Sequence, residues 1–132
     1  MANSKASIDR FIARLAHQLG SSLHLQGGVC ALHDAKQQEA VIIESPEHSD
    51  NVILHCRLGA ALPGMDTFKQ LLNLNFDVCS LRGCWLALDQ ADVRLCTQRD
   101  LDQLDEEGFC DWVSGFVAQG RETRTRLERY LG

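Results

Sequence analysis

The 132-residue sequence lacks a long hydrophobic run and an excess of positive charge. No apolar run approaches the ~20 residues of a membrane-spanning helix, so no membrane partner is expected. Lys and Arg total 13 against 18 Asp and Glu, which gives a formal net charge of -5. Because nucleic acids and anionic membranes attract basic surfaces, this balance argues against both as partners. The first residues also lack the apolar core of a secretory signal, so the expected location is cytoplasmic.

Sequence motifs for catalysis and cofactor binding are lacking as well. The chain contains no P-loop, no GxGxxG and no CxxC. Its six cysteines lie mostly inside apolar segments, which favours reduced, buried thiols over a disulfide framework. Their spacing does not match a zinc site. We therefore expect no catalytic residue, no metal and no cofactor, although a Cys–His pair formed in space stays open.

The hydrophobic periodicity predicts a single α+β domain over residues 1–132, in the order αβββαββα. The connections between the first three strands are too short for helical crossovers, so those strands form an antiparallel meander. The predicted elements are a helix over 7–20, strands over 28–34, 39–44 and 51–58, a helix over 65–76, a hairpin over 84–96 and a last helix from about 105 to 130.

The last predicted helix has favourable ends and a weak middle. Acidic residues lie near its start and arginines near its end, which suits the helix dipole. Each glycine inside a helix costs about 1 kcal/mol relative to alanine, and this segment contains Gly108, Gly115 and Gly120. We expect a helix that is weak or bent near Gly120, followed by a polar tail with freedom to move.

The hairpin segment CWLALDQADVRLC is apolar on both faces of its first strand. Leu86 and Leu88 point one way, while Trp85 and Ala87 point the other. A half-buried strand normally alternates apolar and polar residues. Three helices are too few to cover both faces of a five-stranded sheet. Large apolar patches that stay uncovered usually mark interaction sites. The residues therefore predict a binding module that forms an oligomer.

The chain resembles the class I type III secretion chaperones, the Tir chaperone family of Gram-negative bacteria. The resemblance is spread over nearly the whole chain, in the order FIARLAHQLG, GVCALHD, NVILHCRLGAALPG, LLNLNF, CWLALDQADVRLC and LDQLDEEGFCDWVSGFV. It implies a cytoplasmic homodimer that is not an enzyme and uses no nucleotide. Such chaperones hold the N-terminal chaperone-binding segment of a secreted effector in extended form, soluble and competent for secretion.

The resemblance also implies where the partners bind. Effector grooves are expected beside the first helix and the sheet, and a dimer interface is expected from the second helix and the following hairpin. The expected effector-binding residues are Phe11, Leu15, Leu32, Ile42, Val52 and Leu54. The expected dimer-interface residues are Leu71, Leu74, Trp85 and Ala87.

Two alternative functions are kept beside this one. The first is an α+β adaptor or regulatory domain that binds a folded partner. The second is a small thiol-dependent enzyme, in which one cysteine would react unusually fast with a mild alkylating agent. A chaperone would instead bind and protect an otherwise insoluble peptide segment.

Overall fold

The computed structural model describes residues 2–132, with side chains from residue 5 onward. The helices are α1 (Ala2–Leu19), α2 (Met65–Phe76), α3 (Val78–Leu81) and α4 (Glu106–Arg126), with short 3-10 turns at Leu101–Gln103 and Glu128–Tyr130. The strands are β1 (Val29–His33), β2 (Glu39–Glu44), β3 (Asn51–Ala60), β4 (Trp85–Asp89) and β5 (Asp92–Asp100). The predicted α+β class is confirmed, with α3 as an additional short helix.

The five strands form one antiparallel sheet in the order β1-β2-β3-β5-β4. The meander predicted for the first three strands is confirmed. β5 pairs with β3 along most of its length, with Leu54 opposite Thr97. The hairpin therefore folds so that β4 lies at one edge of the sheet and β1 at the other.

One face of the sheet is buried under the helices. Along β3 the side chains alternate between this face and the opposite one, as the pleat requires. Leu54 and Val93 on the covered face are fully buried. Phe109 of α4 stacks on Phe11 of α1, with ring centroids 5.3 Å apart. All helices contribute to the same hydrophobic core, and the other face of the sheet has no helix against it within residues 2–132.

Helix α4 runs without interruption through Gly120, where the sequence predicted a weak or bent helix. Asp105 caps its start, where the carboxylate accepts a hydrogen bond from the Gly108 amide at 2.7 Å. A Cβ built at Gly120 would lie 3.0 Å from the Cys56 sulfur. Gly120 thus allows the helix to approach the sheet closely, and this packing compensates for the low helix propensity of glycine.

The C-terminal residues are docked, so the expected mobile tail is wrong. Leu127 is buried in the core. Leu131 forms an antiparallel bridge with Ala61, and the Gly132 amide donates to the Ala60 carbonyl at 2.7 Å. The tail therefore lies beside the end of β3 and supplies hydrogen-bond partners to its backbone.

Helix α3 was not predicted because it is only one turn long. The Asp77 carboxylate accepts a hydrogen bond from the Ser80 amide at 3.2 Å and caps its start. Arg82 adopts a left-handed conformation, with φ of 51°, and ends it. This turn connects α2 to β4, so it helps to set the position of both.

Candidate functional site

The uncovered face of the sheet carries a mixture of apolar and paired polar side chains. One row across the sheet contains Ala31, Ile42, His55, Cys96 and Trp85, because each residue is the register partner of the next. Trp85 and Ala31 are exposed, and the three central members are partly buried. The row places accessible apolar groups on both sides of a polar centre.

The polar centre is a network in which the charged groups pair with one another. The Arg94 Nε donates to His55 Nδ1 at 2.9 Å, and its Nη2 donates to the Glu39 carboxylate. Because Nδ1 of His55 accepts a hydrogen bond, its Nε2 carries the proton and donates to the Glu44 carboxylate. Because the charged groups of the network pair with one another, a ligand on this face would make its contacts with the apolar residues around the network.

A second uncovered surface, the α2–β4 patch, consists of Met65, Phe68, Leu72 and Phe76 on α2 and Leu88 on β4. The four α2 residues recur at helical spacing along one side of the helix. Met65 is 83% exposed, Leu72 is 69% exposed and Phe76 is 89% exposed. These are large side chains on a short helix. Such a concentration of exposed apolar groups is typical of a protein–protein interface.

A shallow apolar groove of about 320 Å³ runs through this patch, between α2 and β4. Leu71, Leu86 and Val93 are buried residues in its lining. Phe68, Leu72 and Leu88 are partly exposed and form its walls, and Asn75 is a polar residue in the lining. The groove can accept an apolar side chain from a partner.

A cleft of about 810 Å³ lies at the other side of the molecule, between the start of α1 and the loop after β2. Ile8, Leu25 and Pro46 provide apolar lining, while Lys5 and Glu47 are among the polar lining residues. The cleft is next to the start of β1, where the Ser45 amide donates to the Gly28 carbonyl at 2.8 Å. The cleft therefore lies beside the end of the sheet at which β1 begins and β2 ends.

The structure does not bring the six residues predicted to bind an effector together on an accessible surface. Five of them belong to the hydrophobic core: Phe11, Leu15, Leu32, Val52 and Leu54. Ile42 lies on the uncovered face and is partly exposed. Apolar periodicity identifies the buried side of an element, and it cannot distinguish a core position from a groove position.

The structure brings only two of the four residues predicted for the dimer interface together. Leu71 and Ala87 both line the groove between α2 and β4. Leu74 is 9% exposed on the inner side of α2, and Trp85 is exposed on the uncovered face of the sheet. The sequence did not lead us to predict that the outer face of α2 is exposed. The available signal was the helical spacing of the apolar residues at 65, 68, 72 and 76.

Five of the six cysteines lie in surroundings that make the thiol less acidic. Burial raises the pKa of the Cys56 thiol to about 11, and it also raises the pKa of Cys30, Cys84, Cys96 and Cys110. A reactive cysteine needs the opposite shift. Cys79 is exposed, which differs from the burial expected for the cysteines. Nothing in these environments supports the alternative of a thiol-dependent enzyme.

The described part of the chain has neither a candidate metal site nor a candidate membrane span. Within residues 2–132, no cluster of three or more His, Cys, Asp or Glu side chains is arranged to hold a metal ion. None of the helices in that range combines the length and hydropathy needed to cross a membrane.

Comparison of the sequence with protein families shows the family to which the chain belongs. The model of the Tir chaperone protein (CesT) family matches residues 10–124. No curated protein sequence matches the chain. The family match includes most of α1, the whole sheet and most of α4, so it covers both uncovered surfaces described above.

Solved structures with the same fold include chains from three complexes. A chain of the ExsC–ExsE complex is 20% identical, with a TM-score of 0.75 and coverage of 96% of this chain and 94% of that one. A chain of the ExoU–SpcU heterodimer from the Pseudomonas aeruginosa type III secretion system is 23% identical, with a TM-score of 0.65 and coverage of 91% and 93%. A chain of the complex between the Yersinia pestis type III secretion chaperone SycH and a YscM2 fragment is 17% identical, with a TM-score of 0.63 and coverage of 86% and 97%.

Proposed function

Because the chain belongs to the Tir chaperone protein (CesT) family, we propose that it is a type III secretion chaperone. In this role it binds the N-terminal chaperone-binding segment of a secreted effector in extended form and keeps that segment soluble and competent for secretion. The observation that carries the proposal is the presence of two separate uncovered surfaces, the α2–β4 patch and the free β1 side of the sheet. One surface serves a second copy and the other serves the client.

The α2–β4 patch is the proposed homodimer interface. A two-fold axis brings the same patch of both copies together, so each exposed residue is used twice. Phe76 and Leu72 of one copy can then enter apolar surface of the other, including the groove beside β4. Leu71 supports this surface from below, and Leu74 holds α2 on the core. Burying these side chains in the interface removes apolar surface from water, and this stabilises the dimer.

The β1 edge is the proposed start of the client site. The Val29 amide and carbonyl bond to Gln26 on the side away from β2. Backbone direction repeats every second residue, so the amide and carbonyl of Ala31 also point outward. No hydrogen-bond partner for them occurs within residues 5–132. An extended client can pair with this edge as an added strand.

Side chains of the client would reach apolar surface at both ends of this edge. Ile42 and Val29 are accessible on and beside the uncovered face. The cleft lined by Ile8 and Leu25 lies next to the start of β1. The five core residues predicted for effector binding would act indirectly, because they fix α1 and the sheet on which these surfaces lie.

The proposal has further features that are in keeping with the family. Residues 1–132 act as one secretion-chaperone domain, without enzymatic activity and without a cofactor. The protein works in the cytoplasm, where a client must be kept unfolded before export. Ordering a disordered client costs roughly 2–5 kcal/mol of the gross interaction energy, so a long contact is needed for tight binding.

Isothermal titration calorimetry with the N-terminal segment of the secreted protein encoded beside this gene tests the function. We expect binding with a large negative heat-capacity change, because apolar area is removed from water. A matched titration with the folded downstream domain of the same protein is the control. Binding to that domain alone, or a heat-capacity change near zero, would favour an adaptor that recognises a folded partner.

A further inference from the structure

The β4 edge of the sheet is capped at Leu86 by a side chain, in the way that the β1 edge is capped at Val29 by the backbone of Gln26. Asn75 lies in the last turn of α2 and faces Leu86 in the middle of β4. Its Oδ1 accepts a hydrogen bond from the Leu86 amide at 2.7 Å, and its Nδ2 donates to the Leu86 carbonyl at 3.2 Å. One carboxamide therefore bonds both backbone groups of a single residue, as a neighbouring strand would do.

The preceding outward position of this edge is satisfied as well. The Cys84 amide donates to the Leu81 carbonyl of α3 at 3.0 Å. Positions 84 and 86 share the same backbone direction because they are two residues apart in an extended segment. The amides at these two positions are therefore occupied, at Leu86 by a side chain of α2 and at Cys84 by the turn that leads from α3 into β4.

An open β4 edge would offer a second way for two copies to associate. Exposed strand edges pair readily with an identical edge of another molecule. Two β4 strands could join antiparallel across a two-fold axis and merge the two sheets. The α2–β4 patch lies directly beside this edge, so approach of two copies through the patch also brings their β4 strands near one another.

We propose that Asn75 is a specificity-determining residue that prevents β4 from pairing with β4 of a second copy. Its side chain holds α2 against β4 and occupies the hydrogen-bonding groups that joined sheets would need. Two copies then meet through side chains of the α2–β4 patch, while β1 stays available as the open edge. The inference rests on the proposed homodimer for its biological role, but the closure of the edge does not depend on any client.

The test compares Asn75→Ala with Asn73→Ala. Asn73 is exposed on the same helix and makes no hydrogen bond to β4, so it controls for the loss of an asparagine. Amide hydrogen exchange by NMR reports on Leu86, and sedimentation velocity over a range of concentrations reports on assembly. Both variants and the wild-type chain are measured without a client.

In Asn75→Ala we expect the Leu86 amide to exchange about tenfold faster at low concentration, as loss of one net hydrogen bond implies. We also expect species larger than those of the wild-type protein as the concentration rises, with the Leu88 amide becoming protected in them. Asn73→Ala should match the wild-type protein in both measurements. Equal Leu86 exchange in Asn75→Ala and wild type, or identical sedimentation at every concentration, would overturn the proposal.

A measurement on the wild-type protein keeps the inference testable if Asn75→Ala does not fold. The Leu86 amide should exchange about tenfold more slowly than the Ala31 amide on the open edge, although both lie on edge strands. Equal rates would refute the closure. A monomeric wild-type protein would contradict the proposed dimer, yet the Leu86 exchange and the assembly of Asn75→Ala would still decide the role of Asn75.

Discussion

The two faces of helix α2 carry similar side chains in opposite surroundings. Leu71 and Leu74 on the inner face are buried against the sheet, whereas Leu72 and Phe76 on the outer face are exposed. An amphipathic surface helix normally has one apolar stripe. The inner stripe is explained by the core of one chain, and the outer stripe has no such explanation. This difference is the basis for proposing that the helix makes two contacts, one within the chain and one with a partner.

The largest effect is expected from the inner face. Leu74→Ala should lower the free energy of unfolding by about 2–4 kcal/mol, because it removes buried methyl groups and leaves a cavity. Urea denaturation checks this, and the loss should be the same at every protein concentration. Leu72→Ala is the matched control on the same helix. A loss in Leu74→Ala that disappears on dilution would place this residue in the intermolecular contact instead.

A charge on the outer face of α2 should weaken the dimer without unfolding the monomer. Leu72→Glu should weaken the dimer about thirtyfold or more, because the carboxylate would be buried without a partner in the interface. The secondary structure of the monomer should be retained. Analytical ultracentrifugation with circular dichroism measures both. Leu19→Glu, at an exposed leucine on α1 away from the patch, should leave the dimer intact; equal weakening in both variants would argue against the patch as the interface.

A similar contrast between a buried and an open position occurs along α4. Gly115→Ala should stabilise the protein by about 1 kcal/mol, because nothing lies near the added methyl group. Gly120→Ala should destabilise it by about 1 kcal/mol, because the methyl group would lie 3.0 Å from the Cys56 sulfur. Thermal denaturation measures both. The double variant Cys56→Ala with Gly120→Ala should show positive coupling, and independent effects would contradict this contact.

The last prediction concerns the buried and exposed thiols, whose difference is small at neutral pH and grows only in alkaline solution. Iodoacetamide should modify Cys79 readily in the folded protein and Cys56 slowly. Burial raises the Cys56 pKa from 9.0 to about 11, so the folded state binds the thiol proton more tightly than the unfolded state. This contribution to stability is complete below pH 9 and is lost as the pH rises towards about 11. The stability difference between wild type and Cys56→Ala should therefore shrink across that range, and a constant difference would contradict it.

Much of the fold could be predicted from local pattern. The bounds of β2 and α2 agree with the predicted segments, because β-branched residues and a clear helical period mark them. The pairing of β5 with β3 and the docking of the tail beside Ala61 could not be predicted, since they depend on contacts between distant residues. Gly120 illustrates the same limit, because its low propensity is visible in the sequence and the nearby Cys56 sulfur is not.

The candidate site was harder to predict than the fold. Leu54 and Leu72 are both leucines at regular positions, and only the packing of the whole chain shows that the first is buried and the second exposed. Asn75 carried no recognisable signal, because an asparagine in a helix does not reveal which backbone groups it will reach. The family resemblance directed attention to α1, the sheet, α2 and the hairpin, whereas the exposure of individual residues on these elements required the three-dimensional arrangement.

Native mass spectrometry of the chain co-expressed with the N-terminal segment of its neighbouring secreted protein tests the chaperone function and the dimer together. We expect a complex of two copies of the chain and one segment, because one extended client wraps a homodimer. Leu72→Glu should lose this complex and Leu19→Glu should keep it. A complex containing a single copy of the chain, or one that forms only with a folded downstream domain, would contradict the proposed function.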